Sequence, residues 1–109
     1  MVTAAVLEDQ LARNFVQLGA SGYTSIPCSG IGRRQIESGA PYIISQVRIE
    51  LIVTPRTEQK ILSYLKEQVA PDNPLTVCVE NVNVLDLSDF TANGKMPDES
   101  TEGAELEHV

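Results

Sequence analysis

Leu7, Leu11, Phe15 and Leu18 recur at steps of four, four and three, which puts them on one face of an α-helix. Thr3 fits the N-cap, Glu8 and Asp9 lie in the first turns where the helix dipole favours acids, and Gly19 is a natural stop. The spacing predicts a helix over about residues 4–18. Residues 23–28 then read as a short strand. From 43 to 54 the period is two: Val47, Ile49, Leu51 and Val53 alternate with Gln46, Arg48, Glu50 and Ile52, as in a strand with one buried face. Thr54-Pro55 opens a second helix, with proline at its favoured first position. Ile61, Leu62, Leu65 and Val69 form its apolar face, and it stops before Pro71-Asp72-Asn73-Pro74. A last strand runs from Leu75 to about Leu85.

One strand ahead of the first helix would turn this order into βαββαβ, the ferredoxin-like arrangement of the α+β class. Only Met1-Val2-Thr3 is at hand to supply it, so the first strand reads as largely missing. In the usual 4-1-3-2 sheet order that strand is central. Its loss leaves the third and fourth strands without a shared neighbour, and open backbone ladders inside a sheet are costly. Residues upstream, the long last strand or another chain would have to close the gap.

The 109 residues suffice for one domain, and 42% apolar content is ordinary for a globular one. With no Trp and few other aromatics, the core must come from Ile, Val and Leu. The net charge of −7 changes the picture more, because seven of the 15 acids and a single base, Lys95, lie from Asp86 onward. Residues 1–85 are nearly neutral, and a folded body over 1–90 is thus expected to carry a disordered acidic tail over 91–109. Neither part has the clustered Lys and Arg that nucleic acid calls for. There is no apolar run of membrane-spanning length and no secretory pattern, so a cytoplasmic protein is expected. Cys28 and Cys78 imply no disulfide framework and read as small buried hydrophobes. His108 stands in the acidic tail with nothing to orient it, and no set of metal ligands is evident.

Candidate chemistry concentrates in residues 29–42, a long loop for a compact domain and of the length that functional loops have. Gly30 and Gly32 can take positive φ and aim successive N–H groups at one anion, with Arg33 or Arg34 adding forked, charge-assisted hydrogen bonds. Taken alone, Gly-Ile-Gly-Arg-Arg reads more readily as a plain surface loop, because Gly-x-Gly turns are common. Arg48 and Glu50 share a strand face as a solvated or interfacial pair. No nucleophile with a nearby base and no phosphate-loop sequence is present, so no catalytic residue and no enzyme activity are expected.

The sequence around this loop resembles the PII-like signalling proteins, above all the group associated with bicarbonate transporters and carboxysomes. The resemblance is carried by "VT" at Val2, "GASGYT" at Gly19, "SGIGRRQ" at Ser29, "RIELIVTPRTEQKILSYL" at Arg48 and "LTVCVENVNVL" at Leu75, and covers residues 2–87. It implies a homotrimer of ferredoxin-like subunits, with adenine nucleotide as a regulatory ligand between subunits and a T-loop that docks a partner. Gly30, Gly32, Arg33 and Arg34 would form the phosphate-binding base of that loop, and residues 35–42 its mobile part. Tyr23 and Thr24 join the candidate nucleotide-binding set, Tyr23 by stacking on a base, although a lone strand tyrosine also suits a core or interface. Bicarbonate or another small anion is the alternative ligand, and a membrane transporter or a carboxysome-associated protein the implied partner. Two local departures bear on the site. Ile31 stands where relatives carry lysine, and residues 70–74 lack the glycines with which relatives wrap phosphate. A trimeric scaffold that has lost its ligand is the competing reading. The copper-tolerance proteins share the trimeric architecture, but the Arg-Arg turn weighs against them.

Overall fold

The computed structural model describes residues 1–39, 44–90 and 105–108, with 34, 35 and 105–108 described by backbone alone. In chain order the elements are β1 (Val2–Ala4), a 3-10 turn (Ala5–Leu7), α1 (Glu8–Gln17), β2 (Thr24–Gly30), α2 (Arg33–Glu37), β3 (Ile44–Glu50) and β4 (Ile52–Val53). Then follow α3 (Pro55–Tyr64), a π-helical turn (Leu65–Val69), β5 (Leu75–Thr76), β6 (Glu80–Asn83), a 3-10 turn (Leu87–Phe90) and β7 (Glu105–His108). No described helix is long and apolar enough to cross a membrane.

The apolar stripes of α1 and α3 meet one face of the sheet. Phe15, Leu11 and Ile61 pack there with Val47, Ile49, Leu51 and Val53, every one of them at most 1% exposed. Burying side chains of this size contributes about 1.5–3 kcal/mol each. Between the helices, the Phe15 and Tyr64 rings meet edge to face at 6.3 Å, and Asn14 Nδ2 donates to the Tyr64 hydroxyl at 2.7 Å. Thr54 caps α3, its hydroxyl accepting from the Thr57 N–H at 3.3 Å with proline next to it. Gly19 ends the first helical region at φ +121°.

The main sheet has the order β2-β3-β1-β5, the ferredoxin-like arrangement. The first strand is present after all, and three residues suffice for it because it is paired on both sides. Val2, Thr3 and Ala4 lie opposite Arg48, Val47 and Gln46 of β3, while Val2 and Thr3 lie opposite Thr76 and Leu75 of β5. Thr3 is therefore not a helix cap. It is buried within the sheet, and its hydroxyl donates to the Pro74 carbonyl at 3.2 Å. β2 is an edge strand, which explains how Pro27 fits in it without a lost ladder bond.

Four further expectations change. The loop over 29–42 contains α2, and its residues 40–42 lie outside the described ones. The last strand is two short pieces, β5 and β6, separated by residues 77–79. The expected disordered tail holds a strand, β7, which pairs with β4 on one side and β6 on the other; 91–104 and 109 lie outside the described residues. Finally, Cys28 and Cys78 are exposed, since both belong to stretches that no helix covers.

Candidate functional site

The candidate anion turn is built differently from a nest. Gly30 is the last residue of β2, opposite Ile44, and extended. The positive-φ glycines among the described residues are Gly19 and Gly39, not Gly30 or Gly32. Without alternating backbone handedness, successive N–H groups do not converge on one point. What Gly30 provides is clearance, because a Cβ there would come within 3.0 Å of the Gln46 amide oxygen.

Arg33 opens α2 instead of standing in an open loop. Its Nε donates to Glu37 Oε1 at 2.9 Å, an i,i+4 pair with the arginine side chain 90% exposed. The Ile36 N–H closes the turn on the Gly32 carbonyl at 3.2 Å. Such an exposed pair contributes only about 0.3–0.5 kcal/mol, so an incoming anion can exchange places with Glu37 at small cost.

The turn does face a second segment across a cleft of about 340 Å³. Gly32 and Arg33 form one wall, Pro74, Leu75 and Thr76 the other, and Val2, Ala4 and Gln46 the floor. The cleft follows from sheet order. β1 is central, so the turn after β2 and the loop before β5 emerge on either side of the same short strand. Gln46, Thr76 and Ala4 are among the members that sequence reasoning missed. The strand alternation around Val47 did place Gln46 on the face away from the core, but no motif marked it as a site residue.

Tyr23 and Thr24 stand apart from this cleft. They sit at the opposite end of β2 from Gly30, roughly 20 Å away at the usual rise per residue. Tyr23 borders a shallow region of about 600 Å³ with Asp9, Arg13 and Val16 of α1. One protomer thus brings Gly32 and Arg33 together with the β5 segment and leaves Tyr23 and Thr24 elsewhere.

The helix-free face of the sheet carries Ile26 at 44% exposure beside Arg48, whose Nη2 lies 3.7 Å from Glu50 Oε2. At its edge the Met1 ammonium donates to the Ile49 carbonyl at 2.8 Å. Burial lowers its pKa below the ordinary 8.0; Cys78 and Glu50 act the other way, and Arg48 reinforces the drop. Among the described residues, no group of three His, Cys, Asp or Glu side chains could hold a metal ion.

The model of the family "Nitrogen regulatory protein P-II" matches residues 1–88. Among solved structures, the chain is similar to a Thermus thermophilus protein whose crystal structure is described as PII-like signaling. The two are 30% identical, with a TM-score of 0.52, over 67% of this chain and 72% of that one. No curated protein matches.

Proposed function

We propose, from the premise that the chain belongs to the nitrogen regulatory protein P-II family, that it is a ligand-gated signalling subunit working as a homotrimer. Membership makes it a regulatory signalling protein, and proteins of this family are generally not enzymes. The finer reading is that adenine nucleotide, or a small anion such as bicarbonate, occupies the cleft between the Gly32–Arg33 turn and the Pro74–Thr76 segment. The observation that carries it is that these two segments, distant in sequence, face one another across a cleft with Arg33 at its rim. In a trimer, residues of a neighbouring copy would complete the cleft, and the helix-free sheet face bearing Ile26 would be the surface that closes. Tyr23 and Thr24 of one protomer do not reach the cleft, so on this reading they serve packing between copies.

The mechanism needs the ligand to prefer one state of the segment after Gly32, since only differential affinity shifts an equilibrium. α2 supplies such a state. With Arg33 on Glu37 the helix is tied to itself; with Arg33 on an anion, Glu37 is released and residues 35–42 are free to adopt another shape. A docked partner, such as a transporter or a carboxysome-associated protein, would read that change.

The scaffold reading draws on specific observations too. Gly30 and Gly32 lack positive φ, Arg33 is already paired, and residues 70–74 contain no glycine. Calorimetric titration with ATP, ADP, AMP, cyclic AMP and bicarbonate separates the two. Binding of one of them, abolished or weakened at least tenfold by Arg33→Ala with Arg34→Ala, supports the sensor. Silence toward all five at millimolar ligand supports the scaffold.

A further inference from the structure

Among the described residues on the cleft floor, Gln46 is the polar one, and its neighbours set its place. It stands opposite Ala4 on one side and Cys28 on the other, on the helix-free face of the sheet. Gly30 lies two positions along β2 from Cys28, which makes it the diagonal neighbour of Gln46 on that face. The carboxamide leans into this diagonal, with Oε1 3.0 Å from where a Gly30 Cβ would be. Around it the floor is apolar, made by Val2, Ala4 and Ile44. Gln46 is half-buried, yet among the described residues its carboxamide makes no hydrogen bond, and neither does the Thr76 hydroxyl on the far wall. Both groups can donate and accept, so together they offer a guest a neutral, two-way hydrogen-bonding edge.

Charge is the second observation. Among the described residues bordering the cleft, Arg33 is the one charged side chain, and the chain as a whole carries −7. A single guanidinium matches a single oxyanion group, which it can grip with two parallel hydrogen bonds. The further charges of a polyphosphate would lie unpaired over an apolar floor, where desolvating them is costly.

We propose that Gln46 is the specificity-determining residue of this cleft: parked against Gly30, it hydrogen-bonds the neutral part of the ligand and, being uncharged, restricts the cleft to ligands with one oxyanion group. The proposal rests on the reading that this cleft holds the regulatory ligand. Selection of this kind works by exclusion as well as attraction. A lysine at the same position would put a second positive charge on the floor and admit polyphosphates. Gly30 is the positioning residue, since a side chain there would push the carboxamide over Ala4 into the space of the ligand.

Calorimetric titration at fixed salt with AMP, ATP and bicarbonate tests this on the wild type, Gln46→Lys and Gln46→Met, with thermal melts to show that each is folded. The wild type should bind AMP at least tenfold more tightly than ATP, and Gln46→Lys should move that ratio at least tenfold toward ATP. Gln46→Met keeps the length of the side chain without its hydrogen bonds and should weaken AMP at least tenfold; it is the deciding arm if the lysine variant does not fold. Bicarbonate binding without nucleotide binding, weakened at least tenfold in Gln46→Met, gives Gln46 the same role toward a smaller ion. A wild type that prefers ATP, or binding that neither variant alters, overturns the proposal and leaves the protein ligand-gated. Silence toward all three ligands overturns it together with the reading on which it rests. Gly30→Ala tests the positioning. It should weaken the ligand that binds, AMP or bicarbonate, at least threefold in the wild type and not at all in Gln46→Ser, whose shorter side chain clears the added methyl. Equal weakening in both backgrounds overturns the role of Gly30.

Discussion

Gly19→Ala perturbs a glycine whose place in this fold depends both on its backbone and on its missing side chain. Its φ of +121° is a value that residues with side chains rarely adopt. Forcing an L-residue there costs about 1–3 kcal/mol. The added Cβ also meets Thr57 Oγ1 at 2.9 Å, closer than carbon and oxygen pack. Thr57 cannot simply step aside, since its N–H is the donor to the Thr54 cap and its own hydroxyl accepts from Thr54 Oγ1 at 3.3 Å. Moving it disturbs a cap that is itself worth about 1 kcal/mol. The total destabilisation should therefore be about 2–4 kcal/mol, a large share of the roughly 5–15 kcal/mol that holds a domain together. Gly22→Ala is the control, since nothing lies within 4 Å of its Cβ position and its φ is unexceptional. Urea unfolding followed by far-UV circular dichroism reads both. The midpoint of Gly19→Ala should fall with its slope unchanged, and that of Gly22→Ala should stay put. If the two variants unfold within about 0.5 kcal/mol of each other, the link between the glycine and the α3 cap is wrong.

Arg33→Ala combined with Arg34→Ala should leave the melting temperature within a degree or two, because the exposed Arg33–Glu37 pair contributes little to folding; a drop of ten degrees would show that α2 is structural. Thr54→Ala removes the α3 cap bond and should cost about 1 kcal/mol by urea titration, with Thr54→Ser close to neutral. Because burial lowers the Met1 ammonium below 8.0, the unfolded chain binds more protons than the folded one between the lowered value and 8.0. Stability should therefore rise with pH across that window, and Nα-acetylation should flatten the rise. An unchanged slope after acetylation would assign the effect to other groups. Light scattering at micromolar concentration should give the mass of a trimer, and a monomer mass would remove the closed sheet face from the proposed function.

Much of the fold was written in local patterns. Phe15 and Leu11 in α1, the alternation around Val47 and Ile49, and the Thr54-Pro55 start each follow from short-range spacing, and each is found where the spacing puts it. β1 escaped because three residues carry no period. Its existence depends on partners at Arg48 and Thr76, which are far away in sequence. β7 is hidden from a reading by composition, because acidity signals disorder while strand pairing is made by backbone groups that any residue but proline offers. The site was half legible. Gly32 and Arg33 do line the cleft, but Gly-x-Gly does not distinguish a backbone nest from what is found, room at Gly30 beside Gln46. Tyr23 and Thr24 belong to the same motif in sequence, and the length of β2 separates them from the turn in space.

The loop between α3 and β5 carries one more consequence. After the π-helical turn, the Val69 carbonyl accepts from the Asp72 N–H at 3.2 Å, the Asn73 N–H at 3.0 Å and Asn73 Nδ2 at 3.1 Å. Three donors on one oxygen, and prolines at 71 and 74, leave this wall of the cleft little conformational freedom to surrender. The opposite wall is held by local contacts such as the exposed Arg33–Glu37 pair and the Ile36 N–H bond to the Gly32 carbonyl. Whatever entropy a guest must remove on binding is therefore drawn almost wholly from the side that would carry the message outward.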